Sequence, residues 1–259
     1  MVCYKFLALL FCLVVLAGCS GAKKKTALPP PVAGRGPAVA PAGPAGTPAE
    51  LSPIKRNILF LARREWDYFG RQTVVFDGDE ESIPHVGKWE DDEEPYVYRV
   101  NWYWRAVGKP HLNGKDCSEP WSAAFISWIM KEAGVPEEQF MPADAHWHYL
   151  TRIMAEAGAP GSAFVPHSID SYSPQLGDLI CATRDSNDPP PDGFTLGSYL
   201  LEHTKLHCDI VVERDGQVLA VIGGNVRNSV SKTFITLNKD GLVQPNRRRP
   251  WFLVLENRL

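Results

Sequence analysis

Helical patterning in the first half of the chain, followed by short β-rich runs in the second, predicts an α+β fold. N-terminal helices should pack on an antiparallel sheet. Three observations carry this expectation. Apolar residues recur at helical spacing over 54–69 and again over 119–133. The runs 176–182, 207–213 and 218–222 are short and β-rich, parted by turn signals such as Arg214-Asp215-Gly216. Eight tryptophans and eleven phenylalanines among 259 residues supply a large core.

The chain opens with Lys5, an apolar stretch over 6–16 and then Leu16-Ala17-Gly18-Cys19. That stretch is about half of the roughly 20 residues that a membrane-spanning helix needs, so residues 1–18 read as a signal peptide. Leu-Ala-Gly-Cys resembles the bacterial lipobox, which implies cleavage before Cys19 and its lipidation, with palmitate among the added chains. Each buried CH₂ contributes about 0.8 kcal/mol of membrane affinity. Ser20 resembles the residue that sorts such lipoproteins to the outer membrane, facing the periplasm. Residues 19–53 are rich in Pro, Ala and Gly, with Lys23-Lys24-Lys25 near the anchor, and should form a tether. Residues 54–259 are one domain's worth of chain. A net charge of -3 argues against a nucleic-acid partner, and a monomer is expected.

Within the domain, Ser52-Pro53 reads as the cap and first turn of a helix ending at Gly70. Residues 71–95 are acidic and read as a surface loop. The aromatic run 96–104 either packs on the first helix or lines a substrate groove, with Trp102 and Trp104 the groove candidates beside Trp121. Ser118 and Pro120 start a central helix that Gly134 ends, with Ser122 in its first turns. A further helix spans about 144–157. His146 and His148 fall around its start and read as groove-border or surface histidines. Strands follow over 176–182, 207–213 and 218–222, then 234–237 and 251–255, and the proline-rich segment 185–193 reads as a loop.

Alternation along His207-Cys208-Asp209-Ile210-Val211 puts His207 and Asp209 on one strand face. A histidine there, facing a helix N-terminus, can take a proton from Ser122 or Cys117 and return it to a leaving group. The free N–H groups of the helix end suit an oxyanion. Asn225 is the first candidate to orient the imidazole, and Asp209 the second. Cys117 precedes Ser122 by five residues, about 7.5 Å along a helix, which suits the same histidine poorly. With Cys3 and Cys12 in the signal and Cys19 modified, three cysteines remain. Cys181 and Cys208 lie on strands able to pair, either as a disulfide or as small buried hydrophobes. No CxxC occurs, and neither metal nor other cofactor is expected. His203 and His207 are four apart, a spacing that does not survive on a strand. Asp178 reads as structural.

Four motifs stand in order over residues 115–235: Trp121-Ser122-Ala123-Ala124-Phe125, Gly177-Asp178-Leu179, His207-Cys208-Asp209-Ile210-Val211, and Gly223-Gly224-Asn225 with Asn228-Ser229-Val230 behind it. Together they resemble the DUF2272 family, read as a lipoprotein-rich branch of the NlpC/P60–CHAP superfamily of papain-like cell-wall hydrolases. The resemblance implies a papain-like domain that attacks amide bonds of peptidoglycan stem peptides. It places the nucleophile on Ser122, where CHAP-like enzymes carry cysteine, the base on His207 and the orienting residue on Asn225. Serine is the weaker nucleophile at neutral pH, so three readings stand: Ser122 is a true nucleophile, Cys117 takes its place, or Ser122 is an ordinary helix hydroxyl in a domain that binds without cleaving. The domain is a peptidoglycan amidase or endopeptidase, a peptidoglycan-binding or scaffold lipoprotein, or a serine esterase or acyltransferase using the aromatic run.

Overall fold

The computed structural model describes residues 51–77, 80–184, 201 and 204–259. The signal segment, Cys19, the tether up to residue 50, His203 and the loop 185–193 lie outside the described residues. Among the described residues the fold is mixed α+β, with four named helices and one open eight-stranded sheet. No helix among the described residues is long and apolar enough to cross a membrane.

Helix α1 (Pro53–Tyr68) begins where the Ser52 hydroxyl accepts the Lys55 N–H at 3.2 Å, with Pro53 in the first turn. It buries Ile58, Leu59, Leu61, Ala62 and the carboxylate of Glu65. Glu65 is made tolerable there by Tyr103, whose hydroxyl donates at 2.6 Å, and by the guanidinium groups of Arg64 and Arg99. Residues 71–95, expected as a loop, instead contain a hairpin, β1 (Gln72–Asp77) and β2 (Glu80–His85). Strand β2 is the sheet's edge and mostly exposed, so its acidic composition carries no apolar alternation to read. The aromatic run is helix α2 (Glu94–Ala106), with Pro95 in its first turn.

Helix α3 (Ser122–Glu132) is buried from Ser122 to Met130, which is why its sequence is apolar all round. It lies under α1 and α2 and against the middle of the sheet. The segment leading into helix α4 (His146–Ala155) is tied to α3 by Ser127, whose hydroxyl donates to the Ala143 carbonyl at 3.0 Å and accepts the Ala143 N–H at 2.9 Å. The remaining strands are β3 (Phe164–Ser168), β4 (Leu179–Thr183), β5 (Leu206–Asp215), β6 (Val218–Val226), β7 (Ser229–Thr236) and β8 (Trp251–Asn257).

The strand order is β2-β1-β7-β6-β5-β4-β8-β3. The sheet is antiparallel except where β1 runs parallel to β7, a departure from the expected antiparallel meander. The N-terminal hairpin reaches that edge because α1 carries the chain across the sheet before β1 begins. Two cores sandwich the sheet. Cys208, Ile210 and Val212 pack with the helices, whereas Val211, Leu219 and Val221 pack on the other face with Ile180 and Trp251. Asp178 is structural, its carboxylate accepting the N–H groups of Gln175 at 2.7 Å and Asn257 at 2.9 Å.

Candidate functional site

Ser122 is the first residue of α3, and Trp121 caps the helix without a side-chain hydrogen bond. The first turn therefore leaves backbone N–H groups directed toward the end of the helix. Strand β5 brings His207 to that end, where its Nδ1 lies 2.8 Å from Ser122 Oγ. The other ring nitrogen, Nε2, lies 2.6 Å from Oδ1 of Asp209, two residues along the same strand. All three residues are at most 2% exposed. Strand alternation explains the last contact: positions two apart project from the same face.

The space for this pair is made by Gly223 on the neighbouring strand β6. A Cβ at Gly223 would lie 1.6 Å from Asp209 Oδ1 and 2.9 Å from His207 Nε2. A Cβ at Gly224 would lie 2.5 Å from the Phe125 Cβ and 2.6 Å from the Trp121 ring, so this glycine lets β6 approach α3. The Gly-Gly pair thus clears room on both sides of the strand.

A second histidine reaches the serine. His146, first residue of α4, places Nε2 2.5 Å from Ser122 Oγ, and its Nδ1 lies 2.5 Å from the Tyr149 hydroxyl. His146 is buried, and the two imidazoles meet edge-on with centroids 5.7 Å apart. The sequence left His146 as a border residue. Its spacing to Tyr149, three residues on one helix face, was the signal that the pair could act together.

Burial holds both imidazoles neutral. The His207 pKa falls to about 4, through burial first, against the pull of Asp209 and with the help of Arg249 and Arg184. His146 is held well below the ordinary histidine value by burial, then by His207, Arg184 and Arg249. The Tyr149 phenol is pushed well above its ordinary value, again mainly by burial, and stays protonated. Asp209 Oδ2 is buried and makes no hydrogen bond among the described residues.

Asn225 does not orient His207. It sits at a break in the β6–β7 register with φ 57°, and its amide turns toward the opposite partners. Its Nδ2 donates to Glu90 at 3.0 Å, and its Oδ1 accepts from Arg184 at 2.8 Å. Glu90, part of the acidic run, points inward and also accepts the Trp121 indole N–H. Burial raises its pKa to about 7.

A cleft of about 700 Å³ opens over Ser122 and His146. Its walls include Trp147, Arg184, Lys205, Asn225 and Asn228. The three tryptophans expected at a groove are elsewhere. Trp121 is buried against Tyr103 and Phe69, Trp104 is buried in the helical core, and Trp102 is exposed beside Arg99. Packing of the helices on one another claims Trp104 and Trp121, and Trp102 faces outward from α2. Cys117 is among the residues lining the cleft, whereas the atoms hydrogen-bonded to His207 belong to Ser122 and Asp209. Cys181 and Cys208, directly opposite on β4 and β5, form a disulfide next to His207. Among the described residues, no group of three or more His, Cys, Asp or Glu side chains could hold a metal ion.

Residues 91–257 match the model of a family described as an uncharacterized protein conserved in bacteria, DUF2272, and the chain belongs to that family. No curated protein and no solved structure matches the chain.

Proposed function

We propose that this DUF2272 member is a serine-nucleophile hydrolase that cleaves amide bonds of peptidoglycan stem peptides from a lipid-anchored position at the periplasmic face of the outer membrane. The observation that carries the reading is the hydrogen-bonded series Ser122–His207–Asp209, whose serine lines the cleft. Ser122 is the nucleophile, His207 the general base and Asp209 the group that orients it. The order of motifs, with a nucleophile at a helix start and a histidine on a following strand, supports a place beside the NlpC/P60–CHAP enzymes.

In this mechanism the Oγ proton passes to His207 Nδ1 as Oγ bonds the substrate carbonyl carbon. The imidazolium then gives that proton to the leaving amine, and water, activated by the same nitrogen, releases the acyl group. Backbone N–H groups in the first turn of α3 favour negative charge on the carbonyl oxygen. Arg184, Lys205, Asn225 and Asn228 on the cleft wall suit a peptide bearing carboxylates. The Cys181–Cys208 disulfide agrees with an oxidising compartment, and the lipobox at Cys19 with a lipid anchor. An ester-specific variant would draw on an apolar channel from the aromatic run, and Trp102 and Trp104 do not line the cleft.

The test is to incubate the unit from Leu51 to Leu259 with peptidoglycan and identify soluble products by mass. Wild type is compared with Ser122→Ala, His207→Ala, Asp209→Asn and Cys117→Ala. Products from wild type and Cys117→Ala but not from the other three are expected. Products that persist in Ser122→Ala would remove serine chemistry, and retention on peptidoglycan without products would favour a binding module.

A further inference from the structure

We infer that His146 is a second catalytic histidine of the Ser122 centre, a neutral hydrogen-bond donor to the oxygen that becomes negative during acyl transfer. Tyr149 is the positioning residue that fixes its tautomer. The inference rests on the serine-hydrolase reading above and adds two residues to it.

Proton counting determines the roles. The Asp209 carboxylate only accepts, so His207 Nε2, 2.6 Å away, carries a hydrogen and its Nδ1 carries a lone pair. A neutral imidazole has one hydrogen, and burial keeps His207 neutral. Ser122 therefore donates its single hydrogen to His207 Nδ1 across 2.8 Å. With that hydrogen committed, the contact between Ser122 Oγ and His146 Nε2 needs its hydrogen from the imidazole. His146 Nδ1 is then the acceptor, and the Tyr149 hydroxyl supplies the hydrogen it accepts.

The result is one directional series, Tyr149 to His146 to Ser122 to His207 to Asp209. Each of its four contacts has one donor and one acceptor. If His146 held its hydrogen on Nδ1, two lone pairs would face one another at Oγ, and Nδ1–H would point at the phenol oxygen. His146 is thus unsuited to be a spare base, because the nitrogen facing the serine has no free lone pair.

A donor placed on the attacking oxygen has a definite use. When Oγ bonds the carbonyl carbon, its proton moves to His207 and the carbonyl π pair moves to the carbonyl oxygen. That oxygen shares a carbon with Oγ, so His146 Nε2–H turns from one to the other and keeps its own proton throughout. On collapse, the pair on the oxyanion reforms the carbonyl, the bond to the leaving group breaks, and His207 protonates that group. A neutral imidazole outperforms an imidazolium here because it can stay a donor without transferring its proton prematurely.

The experiment uses the full-length protein in detergent. The probes are a fluorophosphonate, which labels activated serines with loss of fluoride, and a p-nitrophenyl ester for turnover. Ser122→Ala and His207→Ala should abolish labelling. His146→Ala should lower kcat by about 10²–10³-fold, the usual loss for one oxyanion donor. His146→Gln, whose amide N–H can donate, should recover at least about tenfold of that loss, and Tyr149→Phe should lower kcat by about tenfold at unchanged KM. Imidazole ¹⁵N spectra should show the Nε2–H tautomer of His146 in wild type and a mixture in Tyr149→Phe.

If His146→Ala labels at the wild-type rate while His207→Ala is inert, the role of His146 is overturned. If His146→Ala fails to fold, wild-type kcat in both His146→Gln and Tyr149→Phe, with an unchanged tautomer, overturns it equally. If wild type itself forms no adduct at Ser122, the hydrolase reading fails first and takes this inference with it.

Discussion

Gly223→Ala is the sharpest single perturbation of the site, because it adds one methyl group and replaces no proposed catalytic side chain. Its Cβ would sit 1.6 Å from Asp209 Oδ1, 2.8 Å from the Asp209 Cγ and 2.9 Å from His207 Nε2. Real Cβ contacts essentially never fall under 3.0 Å, so the carboxylate must retreat by at least about 1.4 Å or the strand must shift. The Asp209–His207 hydrogen bond is 2.6 Å long, and a retreat of that size stretches it beyond roughly 3.5 Å, where it ceases to hold the ring. Overpacking of this kind costs about 1–3 kcal/mol of stability, which leaves a domain of this size folded. Losing the group that orients a catalytic histidine costs up to about 10⁴ in kcat. We expect Gly223→Ala to remain folded and to acylate Ser122 about 10²–10⁴ times more slowly. The double variant with Asp209→Asn should be no slower than Asp209→Asn alone, because both act on one hydrogen bond. Fluorophosphonate labelling rates and chemical denaturation measure the two effects separately. A folded Gly223→Ala protein that labels at the wild-type rate would refute the claim that Asp209 positions His207.

Other outcomes follow from the same geometry. His207 must be neutral to accept a proton and has a pKa of about 4, so kcat/KM should rise through about pH 4 and be level across pH 6.5. Between pH 6.5 and 4 the unfolded chain binds a proton at His207 that the folded chain does not, so this residue's contribution to stability is lost as pH falls. Relative to His207→Gln, wild type should lose about 3 kcal/mol over that window in chemical denaturation, the comparison removing the opposite trend of Glu90, whose folded pKa is about 7. Replacing both Cys181 and Cys208 by alanine opens a loop of sequence separation 27 and should lower the unfolding free energy by about 3–4 kcal/mol, read from denaturant midpoints. Ser122→Cys should label with iodoacetamide only slowly below pH 7, because His207 cannot hold the thiol's proton.

What could be read in the chain depended on how local the signal was. Helix α3 and strand β5 are dense in apolar residues and bounded by turn signals, so the expectation that Ser122 and His207 face one another came from short-range pattern plus the resemblance of four motifs. Strand β2 is exposed along an edge, where charge replaces alternation, and it read as loop. Helix α2 holds Tyr103 and Trp104 in the core through tertiary packing, which claimed aromatics that composition alone left available for a groove. Asn225 looked like the orienting group because it follows the strand that neighbours β5. The left-handed turn at residues 225, 227 and 228 sends its amide to Glu90 and Arg184, and the glycines before it prove to be the part of that motif that shapes the site. His146 meets Ser122 across 24 positions of chain, a contact no local pattern announces.

The serine at position 122 reads differently once its surroundings are known. A cysteine nucleophile works best as a thiolate beside an imidazolium, which needs a histidine whose charged form is favoured. Here burial, Arg249 and Arg184 all disfavour a charged His207, and Asp209 offsets them only in part. A resting ion pair is therefore unfavourable, and in the proposed mechanism the proton stays on Oγ until the substrate carbonyl accepts the oxygen's electrons. That is the regime in which a hydroxyl with a neutral base performs well, since charge arises only in the transition state, where preorganised donors meet it. The donor contact from His146 would also lower the basicity of a thiolate, whereas for a hydroxyl it sets the direction of the single hydrogen. On the proposed chemistry, serine is thus matched to this pocket by its electrostatics, and a cysteine at position 122 would react well only together with changes that favour a charged His207.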